Sequence, residues 1–265
     1  MRAILSDTLS EFFSRKVIYL FAFVTLILLL GVWLTGGIEQ DFSRSMGEDF
    51  RVEDVIGPLA PWIATAFSQI MNVLIFLAVL ATVGLIPKAL EKGRAEFYLA
   101  RPISRPGFLL SKLFSIWIVY GAVAIVCGLI TYVAVAVTHD SFQMGIFLLL
   151  AVYLLIFFIW LSVAVIGGIL TRSTVWAMTS VFIIWIAQSL LSLHDSVNQL
   201  ISSRVLVNVI DTLYYIVPKI GELRDLAVDL AVGGNIQSWL PLWSSTLFAA
   251  VLVYAAVTVF KRSNY

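Results

Sequence analysis

Residues 88–112 read KALEKGRAEFYLARPISRPGFLLSK, a charged island between two long uncharged runs. The island carries Lys88, Lys92, Arg94, Arg101, Arg105 and Lys112, six of the seventeen basic residues, together with Glu91 and Glu96. The runs beside it, 59–87 and 113–138, each exceed the roughly 20 residues that a helix needs to cross a hydrocarbon core. A polar stretch wedged between two such runs must face water, and its positive charge says on which side that water lies. The fold class follows: an all-α integral membrane protein.

The composition agrees. Hydrophobic residues make up 61% of the chain and charged residues 12%, about half the charge of an average soluble domain. No single soluble core could absorb that much apolar surface. Six segments are long and uncharged enough to span, at about 17–37, 59–87, 113–138, 141–170, 173–193 and 236–260, and together they form one transmembrane domain, 1–265. The first run, Val17 to Thr35, lacks a small-x-small cleavage pattern and reads as an uncleaved span. Ahead of it, Ile4, Leu5, Leu9, Phe12 and Phe13 share a helical face opposite Arg2, Ser6, Asp7, Ser10, Glu11 and Ser14, as expected of an interfacial helix over 1–16 ended by Arg15 and Lys16.

With the N-terminus inside, the inner segments 1–16, 88–112, 171–172 and 261–265 hold 12 basic residues against four acids, whereas the outer segments hold 5 against 12. This asymmetry places both termini on the cytoplasmic side. The loop around His139 and Asp140 is too short for anything but a tight hairpin, and Thr171, Arg172 and Ser173 form a second cytoplasmic turn. The outer segment 194–235 contains RVLVNVIDTLYYIVPK, in which Arg204, Asn208, Asp211, Tyr215 and Lys219 recur at helical spacing until Pro218 interrupts, and then ELRDLAVDL, which resumes with Leu223, Leu226 and Leu230. One or two amphipathic helices are expected there, dipping into the outer leaflet or capping a dimer and ending at Gly233 and Gly234. Trp62, Trp239 and Trp243 fall at interfacial depth.

Several function classes are disfavoured. No Asp, Glu, Lys, Arg or His falls inside the six segments, so an ion-coupled carrier lacks its titratable relay. Two histidines, His139 and His194, and one cysteine, Cys127, offer no metal or hydrolase constellation; His194 beside Asp195 reads as a solvated loop pair. The phosphate-cradling G-x-x-x-x-G-K-[ST] loop is absent, so any nucleotide-driven motor is another chain. Ser68, Gln69, Asn72, Ser162, Gln188 and Ser189 are sparse polar positions that could line a pathway or simply bond between helices.

Within the island, Leu90, Gly93, Phe97 and Ala100 share one helical face and Lys88, Glu91, Lys92 and Glu96 lie towards the other, so the segment can lie along a membrane and show charge to a soluble partner. Pro102 disfavours helical geometry at Arg101, and Ser104 can cap the next helix, whose first turn tolerates Pro106. The run from Glu91 to Lys112 resembles the cytoplasmic segment of type-2 ABC exporter permeases, E-x-G-T-x-E-x-x-L-x-x-P-x-S-R followed by a lysine, which joins spans two and three in that family. Glu91, Gly93, Glu96, Leu99, Pro102, Ser104, Arg105 and Lys112 match, Arg94 replaces the usual threonine, and Pro106 is an addition.

The resemblance implies a non-catalytic permease subunit of an ATP-driven exporter. It implies a coupling helix over 88–105, with Glu91, Lys92, Gly93, Arg94, Glu96, Phe97, Arg101, Pro102, Ser104 and Arg105 meeting the ATPase, and the turn Thr171, Arg172 and Ser173 as a second contact. The expected partners are two ATPase subunits, which bind the ATP and magnesium, a second permease copy of the same or a related chain, and membrane lipid. No cofactor and no nucleic acid is expected on this chain. Two other readings stand beside it: a mechanochemical assembly acting on a periplasmic protein through 194–235, and a membrane-embedded enzyme or scaffold without an ATPase.

Overall fold

The computed structural model describes residues 2–14, 16–46, 59–90, 104–138, 142–191, 204–236 and 238–262. Among the described residues every regular element is a helix: α1 (Arg2–Ser14), α2 (Val17–Met46), α3 (Leu59–Thr82), α4 (Leu85–Ala89), α5 (Arg105–Thr138), α6 (Ile146–Thr171), α7 (Thr174–Leu191), α8 (Arg204–Ile216), α9 (Ile220–Val232) and α10 (Leu240–Arg262). Six stretches are long and apolar enough to cross a membrane: Val17–Leu34, Pro61–Ala89, Arg105–Thr138, Ile146–Thr171, Thr174–Leu191 and Leu240–Arg262.

Helix α6 is the axis of the bundle. It is hydrophobic all round, the pattern of a helix with no water-facing side, and it packs against α3, α5, α7, α9 and α10. Leu149, Tyr153, Phe157 and Ile159 are fully buried along it. A buried hydroxyl needs a partner: Tyr153 Oη donates to the Ser68 carbonyl (2.6 Å) and shares a 2.7 Å bond with Ser68 Oγ, tying α6 to α3. At the turn into α6, Tyr132 Oη on α5 donates to the Gln143 carbonyl (2.9 Å) and accepts from the Gln143 amide (2.6 Å). That pair of bonds pins the hairpin whose tip, His139 and Asp140, lies outside the described residues. In contrast, α2, α7 and α10 turn most of their apolar surface outward.

Among the boundaries that differ from the expected ones, three have a local reason. The second span is broken rather than continuous to residue 87: α3 stops at Thr82, Val83 and Gly84 form a turn, and α4 follows. Pro87 sits four residues beyond Val83, so its ring would crowd the Val83 carbonyl in an unbroken helix and its nitrogen has no hydrogen to donate. The third span begins at Arg105, not 113, because Ser104 starts the helix and nothing stops it before Thr138. The fourth begins at Ile146, after Gly145.

The outer segment forms two helices, separated where Pro218 bars helical geometry at Val217. Helix α9 ends as expected, with Gly233 left-handed (φ 69°) and the Gly234 amide donating to the Asp229 carbonyl (2.8 Å). Its apolar face is turned into the chain's own bundle: Ile220, Leu223, Leu226, Ala227 and Ala231 are buried against α6 and α3. Contact at its C-terminal end is so close that a Cβ on Gly145 would stand 2.0 Å from the Ala231 carbonyl oxygen. Helix α8 stays peripheral and leaves Leu213, Tyr215 and Ile216 exposed.

Candidate functional site

Two regions carry polar chemistry, one at each end of the bundle. The first is where the charged island enters and leaves. Glu91, Lys92, Gly93, Arg94, Glu96, Phe97, Arg101 and Pro102 lie outside the described residues; Ser104, Arg105 and both flanks are described. On the entering side, Leu85, Ile86, Pro87, Ala89 and Leu90 are buried while Lys88 is exposed. On the leaving side, Ser104 does what its position suggests: its hydroxyl accepts from the Gly107 amide (3.2 Å) and its carbonyl accepts from Phe108 (2.9 Å), with Pro106 inside the first turn. From there α5 runs 34 residues, about 50 Å at 1.5 Å per residue.

The turn at Thr171, Arg172 and Ser173 belongs to the same end. A Cβ on Gly84 would touch Thr174 Cγ2 at 3.0 Å, and one on Gly168 would meet Pro87 Cγ at 2.7 Å. The short helix α4 is thus seated directly on the α6–α7 turn. Thr171 Oγ1 donates back to the Gly167 carbonyl (2.9 Å), Arg172 is left-handed (φ 55°), and the Ser173 carbonyl accepts from Ala177 (3.1 Å). The short helix that leads into the charged island and the 171–173 turn therefore lie side by side at one end of the bundle.

Lys112 departs from its expected role. Taken with the water-facing island, it is instead buried, with 2% of its side chain exposed, although it lies inside the third span. This corrects the reading that no charge sits within a span. Lys112 Nζ donates to Asp7 Oδ2 (2.9 Å), Thr8 Oγ1 (3.3 Å) and Glu11 Oε2 (3.5 Å) on α1. An ammonium is retained out of water only where anions and hydroxyls replace its hydration, and α1 supplies all three. Phe12 stacks edge-on against Tyr120 of α5 at 5.1 Å, and both are buried. Helix α1 buries Ile4, Thr8 and Phe12 and leaves Leu9 and Phe13 exposed, so only part of its apolar face meets the bundle. Lys16, left-handed at φ 56°, turns the chain into α2. The overlooked signal was a lysine inside the apolar run FLLSKLF facing two acids one helical turn apart.

The second region is near the other end of α7. A cleft of about 470 Å³ opens between α3, α6, α7 and α9. Of the sparse polar positions, Asn72, Gln188 and Ser189 line it; Ser68 is taken up by Tyr153, Ser162 bonds the Ile159 carbonyl, and Gln69 is exposed elsewhere. Arg224, on the polar face of α9 and without an assigned role in the sequence reading, also lines it. Next to the cleft, Lys219 at the α8–α9 junction lies under Tyr214, Nζ 3.0 Å from the ring centroid and 3.8 Å from Glu222 Oε1, while Tyr214 Oη donates to Glu222. Burial lowers the Lys219 pKa, with Glu222 pulling the other way. No group of three metal-ligating side chains exists among the described residues.

The sequence matches no family model and no curated protein. Its function therefore has to be argued from its own residues.

Proposed function

We propose that this chain is the transmembrane permease subunit of an ATP-binding-cassette exporter, set in a bacterial inner membrane with both termini in the cytoplasm. ATP hydrolysis by separate ATPase subunits would drive it. The observation that carries this reading is the match of Glu91, Gly93, Glu96, Leu99, Pro102, Ser104, Arg105 and Lys112 to the family's segment, in a chain with no nucleotide loop of its own.

The geometry around that segment supports a lever. A push on 91–103 would reach α5 at its capped N-terminus and α4 at its seat on the 171–173 turn. Because α5 is one uninterrupted rod, displacement at Ser104 tilts the whole span. Helix α1, held by Lys112, would move with it. Two copies would provide the twelve spans of a complete pathway, and two ATPases closing on ATP would rock both levers together.

The test is co-purification followed by turnover. Wild-type protein from native membranes should bring down a P-loop ATPase, and Glu96→Lys or Gly93→Trp should lower ATPase-driven turnover while leaving the protein in the membrane. Absence of any such ATPase, or full activity in both variants, refutes the reading. A second reading is favoured by the exposed Leu213, Tyr215 and Ile216 of α8: the assembly acts mechanically on a periplasmic protein. Crosslinks from 204–216 to a soluble periplasmic protein would select it.

A further inference from the structure

The cleft between α3, α7 and α9 is built for a ligand with one acidic end and one hydrocarbon end. Its volume of about 470 Å³ falls within the roughly 300–1,000 Å³ of ligand pockets. Ile75, Val79 and Trp160 form a buried apolar floor, and Phe76 and Trp185, both half exposed, form a rim that faces outward from the bundle. The polar groups are gathered around Gln188 and Arg224. Gln188 Oε1 and Arg224 Nε are both shielded from solvent, and neither has a hydrogen-bond partner among the described residues. A guanidinium nitrogen shielded in this way is costly until an acceptor reaches it.

The acids nearby do not fill that need. Asp225 follows Arg224 at an exposed position, and desolvation of its carboxyl holds its pKa above the usual value against the opposing pull of Arg224. No ion pair joins Arg224 to Glu222, Asp225 or Asp229 among the described residues; Glu222 is turned to Lys219 and Tyr214. Gln188 and Ile220 also border a smaller cavity of about 40 Å³ next to Lys219, whose Nζ adds positive potential without a hydrogen-bond acceptor of its own. The cation is at one end, the aromatic trough at the other, and the rim lies on the outward apolar surface.

We infer that this cleft binds an anionic lipid, its acyl chain lying in the trough of Phe76, Trp160 and Trp185 and its phosphate accepting from Arg224. Gln188 Oε1 accepts from a headgroup hydroxyl. A charge-assisted contact of this kind is short, strong and specific for the acid. The inference does not depend on coupling to an ATPase, because it is read in the isolated chain.

The test places the full chain in phosphatidylcholine nanodiscs containing a small fraction of tail-brominated lipid, which quenches nearby tryptophans. Brominated phosphatidylglycerol should quench at about tenfold lower mole fraction than brominated phosphatidylcholine, the size of one charge-assisted contact. The excess should vanish in Trp160→Phe/Trp185→Phe, which locates it to the cleft, and in Arg224→Gln, and persist in Arg224→Lys. Soluble glycerol phosphate should not displace it. Equal quenching by the two lipids in the wild-type protein, which needs no variant to fold, overturns the inference. So does an excess that survives in Trp160→Phe/Trp185→Phe, or one abolished by glycerol phosphate, since either removes the acyl chain from the site.

Discussion

Lys112 permits a prediction about asymmetry that ordinary surface ion pairs do not. Its side chain is 2% exposed, whereas those of Asp7 and Glu11 are 40% and 19% exposed. Replacing Lys112 by methionine, of similar length, removes the charge and leaves two carboxylates that can turn to water. The loss is then the charge-assisted hydrogen bonds, about 1–2 kcal/mol after re-solvation. Replacing Asp7 and Glu11 together by alanine does the opposite: it strands a buried ammonium with Thr8 Oγ1 as its remaining acceptor from α1. Breaking a buried pair in that direction costs about 3–5 kcal/mol. Adding Lys112→Met to the double variant deletes the stranded charge, and about 2 kcal/mol should return, the signature of coupling in a mutant cycle. The chain's single cysteine, Cys127, sits half-buried on the same helix, so its exposure to a thiol dye during unfolding in detergent reports each stability without a new label. A lysine variant that costs more than the acid double, or a triple variant no more stable than the double, refutes the account of Lys112 as a buried cation held by α1.

Gly145→Ala should be severe, at or above the roughly 1–3 kcal/mol of ordinary overpacking, because the new Cβ meets backbone rather than a movable side chain. Gly31→Ala, with nothing within 4 Å, should be neutral or slightly stabilising by up to about 1 kcal/mol; thermal midpoints compare the two. The lowered pKa of Lys219 means that the folded protein binds fewer protons than the unfolded one from that lowered value up to 10.5. Stability should therefore rise with pH across this window, and Lys219→Met should flatten the rise at alkaline pH below 10.5. Reporter fusions should be active as cytoplasmic proteins after residue 262 and as periplasmic ones within 192–203; the reverse pattern would invert the topology.

What could be read in the sequence was what short-range chemistry decides. Six apolar runs declare themselves by length. Ser104 and Pro106 mark a helix start because a cap acts over three residues, and Pro218 and Gly233 mark their breaks for the same reason. Pro87 carried a comparable signal, four residues beyond the carbonyl it displaces, but within an uninterrupted apolar run it was passed over. The partners of Lys112 and the placement of Arg224 were not legible: Lys112 meets Asp7 across 105 residues of chain, and the cleft of Arg224 gathers side chains from four separate helices. Amphipathicity gave α9 an apolar face that reads as meant for the outer leaflet or a dimer, yet its own bundle covers it; the reason lies in the glycine at 145, whose missing side chain leaves room for the Ala231 backbone.

That close contact has a consequence for assembly. Helices α3 and α6 are synthesised well before α9, so the groove that α9 fills must stay vacant while α7 and α8 emerge. Gly145 admits the bare Ala231 backbone where a side chain would jam. The bundle is thus completed late, by a helix of 13 residues, shorter than any of the six long apolar ones. A chain interrupted after α7 would keep five of the six long apolar helices and the Tyr153–Ser68 tie, and still lack the wedge packed against both α3 and α6.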